Sequence, residues 1–171
     1  MTSKRTLLAF KILLMLFLGT WVMDAASAQN KPRVVEKEDL IQLISEPNDS
    51  VLVINFWATW CKPCVRELPH FLGLDSAFAT QKVKLVLVSL DFESDLETKL
   101  EPFLARRQIK NTVWLMRDLN YNAWIGRIHS EWDGVIPATL LLSPRGKKRD
   151  FVMGEISQEV LYQKIKQFLK P

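Results

Sequence analysis

The sequence predicts an α/β domain with helices covering both faces of a sheet. Two near-continuous apolar runs carry that prediction, Val51 to Trp57 and Val83 to Leu90. Runs of this length and β-rich composition suit strands buried on both faces. Helical patterns stand between and after them, and the chain closes on two short strands and a last helix. Strands that alternate with helices are stably buried only between helical layers.

Each element has its own signal. Leu40, Ile41, Leu43 and Ile44 give a brief helical face, ended by Pro47 and Asn48. The first apolar run is broken only by Asn55. A helix is expected from Cys61 and Cys64 to about Ala79. Ser94-Asp95-Leu96-Glu97 has the form of a capping box. The helix it opens carries Leu96, Leu100, Phe103 and Leu104 on one face, with a kink at Pro102. Val113 to Met116 reads as a short strand. Leu119 to Ile128 reads as a helix with Trp124, Ile125 and Ile128 spaced for burial. Ala138 to Leu142 and Arg149 to Met153 make strands around a Pro144–Gly146 turn. The last helix starts near Ser157 and turns Val160, Leu161, Ile165, Phe168 and Leu169 inward.

The first 28 residues stand apart. Lys4 and Arg5 make a basic start, Ile12 to Met23 is apolar, and Ala26-Ser27-Ala28 offers an A-x-A cleavage site before Gln29. That is the layout of a secretory signal. The alternative is a retained membrane anchor over residues 7–23, although the unbroken run is short for a span of ~20 residues. The expected organisation is a signal peptide over 1–28, a flexible lead-in over 29–33 and one domain over 34–171. Cleavage after Ala28 removes 28 of 171 residues and leaves 143, enough for one sizeable core. It also removes three basic residues and one acidic one, so the remaining 20 Lys+Arg and 18 Asp+Glu are nearly balanced. No nucleic-acid charge pattern remains, and the Arg145 to Arg149 cluster beside Pro144 and Gly146 reads as a solvated turn.

The only two cysteines, Cys61 and Cys64, follow the first apolar run within "INFWATWCKPCVRELPH". Structural zinc needs four ligands. The further candidates, His70 and His129, are far apart, so no metal or other cofactor is expected. A static disulfide over this spacing closes a tiny loop and stabilises weakly. A redox couple has a mechanism. Cys61 falls where a helix begins, and the unpaired N–H groups and dipole there favour a thiolate. Pro63 sits in the first turn, where its missing N–H costs nothing. Cys64 lies one turn on, facing the same side. Cys61 is the candidate nucleophile and Cys64 the candidate resolving thiol; an inert bridge stays open beside them.

"NFWATWCKPC" resembles the active-site segment of the thioredoxin superfamily. Pro69 matches the proline that kinks that family's active-site helix, and "GVIPATLLLSPRGK" resembles its cis-proline loop and following hairpin. The segment at about 112 to 130, the exported start and "CVRELP" narrow the resemblance to the TlpA/ResA/DsbE-like branch of exported thiol-disulfide oxidoreductases. It covers about residues 34 to 170. It implies a thioredoxin-like fold, with a central mixed sheet, helices on both faces and an extra strand-helix insertion before the cis-Pro loop.

The resemblance also assigns roles. Cytosolic-type thioredoxins have a buried Asp where this chain has Asn55, and an amide cannot take a proton from Cys64. The branch resembled here has a Glu three residues after the second cysteine, which is Glu67; the bland alternative is a solvated helix Glu. Ile136-Pro137 is the implied Xaa–cis-Pro pair, with Ile136 pairing its backbone to an extended client segment. Trp60 is an expected rim aromatic at that surface and Trp57 a core residue. Trp132 is a candidate for lining the client groove, core packing being the commoner fate of a Trp. His70 has no sequence reason to be catalytic. The implied activity is reduction of protein disulfides outside the cytosol by a monomer. Apocytochrome c thiols are the implied client, and a membrane thiol donor supplies the electrons. The rivals are a disulfide oxidase or isomerase on the same fold, and a binding module with an inert bridge.

Overall fold

The computed structural model describes residues 31–46, 48–118 and 120–170. The expected signal segment and the first two residues of the lead-in lie outside them. Six strands form one mixed sheet in the order β1–β4–β3–β2–β5–β6. They are β1 (Arg33–Val35), β2 (Val51–Trp57), β3 (Val83–Ser89), β4 (Thr112–Met116), β5 (Ala138–Leu142) and β6 (Arg149–Met153). β1 to β4 run parallel, while β5 is antiparallel to β2 and β6 to β5. The helices are α1 (Lys37–Ser45), α2 (Lys62–Leu72), α3 (Leu74–Ala77), α4 (Glu101–Arg106), α5 (Ile125–Ile128) and α6 (Gln158–Leu169).

Every residue of β2 is buried, and its side chains alternate between two cores. Val51, Val53 and Trp57 join Leu68 and Phe71 of α2 and Leu161 and Ile165 of α6. Leu52, Ile54 and Phe56 join Leu40 of α1, Trp124, Ile125 and Trp132. Asn55 has odd parity, so it falls on the α2 side, under the active-site helix.

The structure departs from the sequence-based expectations at several elements. Arg33, expected in the lead-in, opens β1, whose three residues pair with Trp114 to Met116. The helix after the cysteines stops at Leu72 and resumes at Leu74. α6 approaches so closely there that a Cβ on Gly73 would lie 2.8 Å from the Tyr162 hydroxyl. The Ser94 capping box does not form. A 3₁₀ turn over Glu93–Asp95 leads into a π-helical turn over Leu96–Leu100, and neither has a side-chain cap. The wide turn puts Pro102 in the first turn of α4, where no intrahelical N–H is missed. In place of one helix over Leu119–Ile128, a 3₁₀ turn at Tyr121–Ala123 precedes α5; Leu119 itself is outside the described residues. Trp124 separates the two, its ring 6.4 Å from Phe56 and its indole N–H donating to the Asp118 carbonyl. Tertiary burial of that ring overrides helix continuity. Val160 is exposed rather than inward, because Leu161, Ile165 and Phe168 set the buried stripe of α6 and Val160 lies off it.

Candidate active site

β2 delivers the chain to a three-residue loop, Ala58 to Trp60, and Cys61 caps α2. Its sulfur accepts the Cys64 N–H at 3.3 Å. Cys61 and Cys64 are joined by a disulfide. Cys64 is fully buried, whereas Cys61 keeps 6% of its surface exposed, and that difference decides which sulfur an incoming group can reach. Trp60, just before, is exposed as expected, and Trp57 is core.

The loop before β5 lies against this pair. The Ile136–Pro137 bond is cis, and the Ile136 carbonyl oxygen is 3.8 Å from the Cys61 sulfur. Hydrogen bonds fix the loop on both sides. Gly154 N–H donates to the Pro137 carbonyl at 2.8 Å. Val135 donates its N–H to Asp133, and its carbonyl accepts from the Trp132 indole at 2.9 Å. Trp132 is itself buried, with ring centroids 4.6 Å from Phe56 and 5.3 Å from Phe151. It supports the loop from the core and does not line a groove.

Glu67 is buried, one turn beyond Cys64 on α2. One oxygen accepts from the Asn55 amide at 2.9 Å and the other from the Ile156 N–H at 2.8 Å. His70 holds the same residue, its Nδ1 3.0 Å from the Ile156 carbonyl. Burial pushes the Glu67 carboxyl above the usual carboxylate range, against the two hydrogen bonds, which favour the ionised form. The Asn55 nitrogen also reaches Thr139 Oγ1 at 3.2 Å, while its Oδ1 is buried without a partner among the described residues. An amide turned end for end would present that oxygen to a protonated Glu67, so Asn55 can partner either protonation state. Spacing alone did not separate this buried carboxyl from an ordinary surface Glu; Asn55 interrupting an apolar strand on the same side was the available signal.

A second buried carboxylate went unread in the sequence. Asp91 is fully buried just beyond β3. It accepts the Thr59 backbone N–H at 3.0 Å, the Thr59 hydroxyl at 2.6 Å and the Ser89 hydroxyl at 2.6 Å. It thereby ties the loop carrying Cys61 to the end of the neighbouring strand. The signal, weak by itself, was Thr59, Ser89 and Asp91 at or just beyond the carboxyl ends of two apolar strands, where sites on α/β sheets collect.

The AhpC/TSA family model matches residues 25–150. The chain belongs to the AhpC/TSA family. Within this thioredoxin-like family it is similar to sporulation thiol-disulfide oxidoreductase A of Bacillus subtilis (strain 168), at 28% identity over 94% of this chain and 96% of that protein. It is also similar to the thiol-disulfide oxidoreductase ResA of Oceanobacillus iheyensis, at 29% identity over 82% of this chain and 69% of that one. Among solved structures, a thioredoxin-related protein from Neisseria meningitidis serogroup B superposes with a TM-score of 0.60 at 27% identity, covering 74% of this chain and 89% of that one. A thioredoxin-family thiol:disulfide interchange protein from Chlorobium tepidum TLS gives 0.60 at 21% identity, over 71% and 81%. The fold is thioredoxin-like, and the family member described here is a thiol-disulfide oxidoreductase with its cysteine pair bonded across the start of α2.

Proposed function

We propose that this oxidoreductase works outside the cytosol as a reductase of protein disulfides, with Cys61 as nucleophile, Cys64 as resolving thiol and Glu67 as the proton acceptor for Cys64. The reading rests on Cys61: its sulfur caps a helix, retains the only solvent contact of the pair and lies beside the Ile136 carbonyl. In the reduced protein the Cys61 thiolate attacks one sulfur of a client disulfide, and the other leaves as a thiolate. Cys64 then gives its proton to Glu67 and attacks the Cys61 sulfur, releasing the client as a dithiol. Two electrons pass to the client, whose two sulfurs leave as thiolates; one takes the proton back from Glu67, the other takes one from water, and the Cys61–Cys64 bond is left. Burial raises the Glu67 carboxyl pKa, which makes it a better proton acceptor than a solvated carboxylate. Ile136 and the Pro137 loop position the client as an added strand, with Trp60 at the rim.

The basic, apolar and A-x-A features of residues 1–28 support export, with a monomer released after Ala28 or held by residues 7–23. A thiol donor at the membrane would restore the dithiol. Apocytochrome c, whose cysteines must be reduced before haem attachment, is the proposed client. Limiting alkylation of the reduced protein, followed by mass mapping, tests the assignment of roles. Cys61 is expected to be labelled first, because it has the exposed, helix-capping sulfur; preferential labelling of Cys64 would reverse the two roles.

A further inference from the structure

Among the described residues, five large apolar side chains are exposed: Trp60, Phe92, Val135, Met153 and Val160. Four of them stand at one end of the sheet, on the loops or strand ends of four neighbouring strands. In spatial order Phe92 follows β3, Trp60 follows β2, Val135 precedes β5 and Met153 ends β6. Neighbouring strands are ~4.8 Å apart, so the row crosses the dithiol, which lies beside Trp60.

Phe92 is held there by the fold. Trp57 and Ser89 are register partners at the ends of β2 and β3. Two residues beyond each, Thr59 and Asp91 are joined by the hydrogen bonds of the buried carboxylate. One residue further on stand Trp60, 59% exposed, and Phe92, 56% exposed. The Phe92 carbonyl is also fixed, by the Asp95 N–H at 2.9 Å. The charges that follow are committed to partners, Glu93 to Arg117 at 2.8 Å and Asp95 to Lys99 at 2.9 Å. The two charges that follow Phe92 on this side therefore have partners, and the ring itself stands exposed.

We propose that Phe92 is a specificity-determining residue: with Trp60 it forms an apolar shelf that receives an apolar side chain flanking the cysteine of an extended client. This rests on the reductase reading and gives it a substrate class. The surface is continuous with the Ile136 strip, so one extended segment can lie across Ile136, Cys61 and Phe92. Its occupant is an unfolded, apolar-flanked disulfide segment.

The test is single-turnover reduction, by the pre-reduced full chain, of two peptides whose one cysteine is disulfide-linked to free cysteine. One peptide has phenylalanines on both sides of its cysteine and the other has glycines. The wild type should reduce the phenylalanine peptide about tenfold faster or more, the scale of one apolar contact in a specificity pocket. Phe92→Ser should bring the ratio close to one, and Phe92→Leu should keep most of it. Equal wild-type rates on the two peptides, or a ratio unmoved by Phe92→Ser, would overturn the shelf and leave the reductase reading standing. Failure of the wild type to reduce either peptide would overturn both.

Discussion

Cys64→Ser should turn the protein into a trap for its clients. Cys61 still attacks, but the buried sulfur one turn away that would release the mixed disulfide is gone. Covalent adducts should then accumulate on non-reducing gels and disappear with a dithiol. Cys61→Ser should form none, because Cys64 has no exposed surface from which to reach a client. Steady-state reduction should fall by roughly three orders of magnitude or more in both variants, since the two thiols act as one unit. Adducts formed by Cys61→Ser and absent from Cys64→Ser would exchange the two roles.

The second large effect is expected at Asn55. Asp at this position would set two carboxyl groups 2.9 Å apart in the core, if the Asn55–Glu67 separation is kept. They cannot both ionise there, so one must hold a proton. Asn55→Asp is expected to cost about 3 kcal/mol at pH 7, the order found when a buried charge loses its compensation. The sign follows from linkage. The folded-state pKa of the pair lies above its unfolded value, so the folded protein binds more protons and stability falls as pH rises through that window. The deficit should therefore shrink below about pH 4, where the unfolded carboxyls are protonated too. Glu67 has the same sign in the wild type, its pKa being raised mainly by burial. Glu67→Gln should remove that slope, so the variant gains on the wild type as pH increases from the acid side. Denaturant unfolding of the three proteins across pH measures this. Parallel stability curves would mean that Glu67 titrates as a solvated carboxylate.

How much of this was legible in the sequence depends on how local each signal was. β2 and β3 announce themselves because buried parallel strands leave unbroken apolar runs, and Asn55 stands out by interrupting one. The cysteine spacing and Ile136-Pro137 are local motifs, and the structure brings them together at one sheet end. β1 was not legible: three residues at an edge are a strand only because β4 pairs with them. The helix start at Ser94 was misread: Ser94 lies inside a 3₁₀ turn, a π turn follows over Leu96–Leu100, and the α-helix begins only at Glu101. Burial of Glu67 and Asp91 depends on partners 89 and 32 residues away, Ile156 and Thr59, which no local pattern encodes.

The central claim is that Cys61 and Cys64 are a couple that delivers two electrons to a disulfide. The most direct measurement mixes fully reduced protein with an excess of an insulin-type disulfide, quenches by alkylation and weighs the protein. The account predicts that one client disulfide is opened per protein molecule and that the protein ends unalkylated, with Cys61 and Cys64 bonded. Recovery of the doubly alkylated protein, with the client disulfide intact, would contradict it.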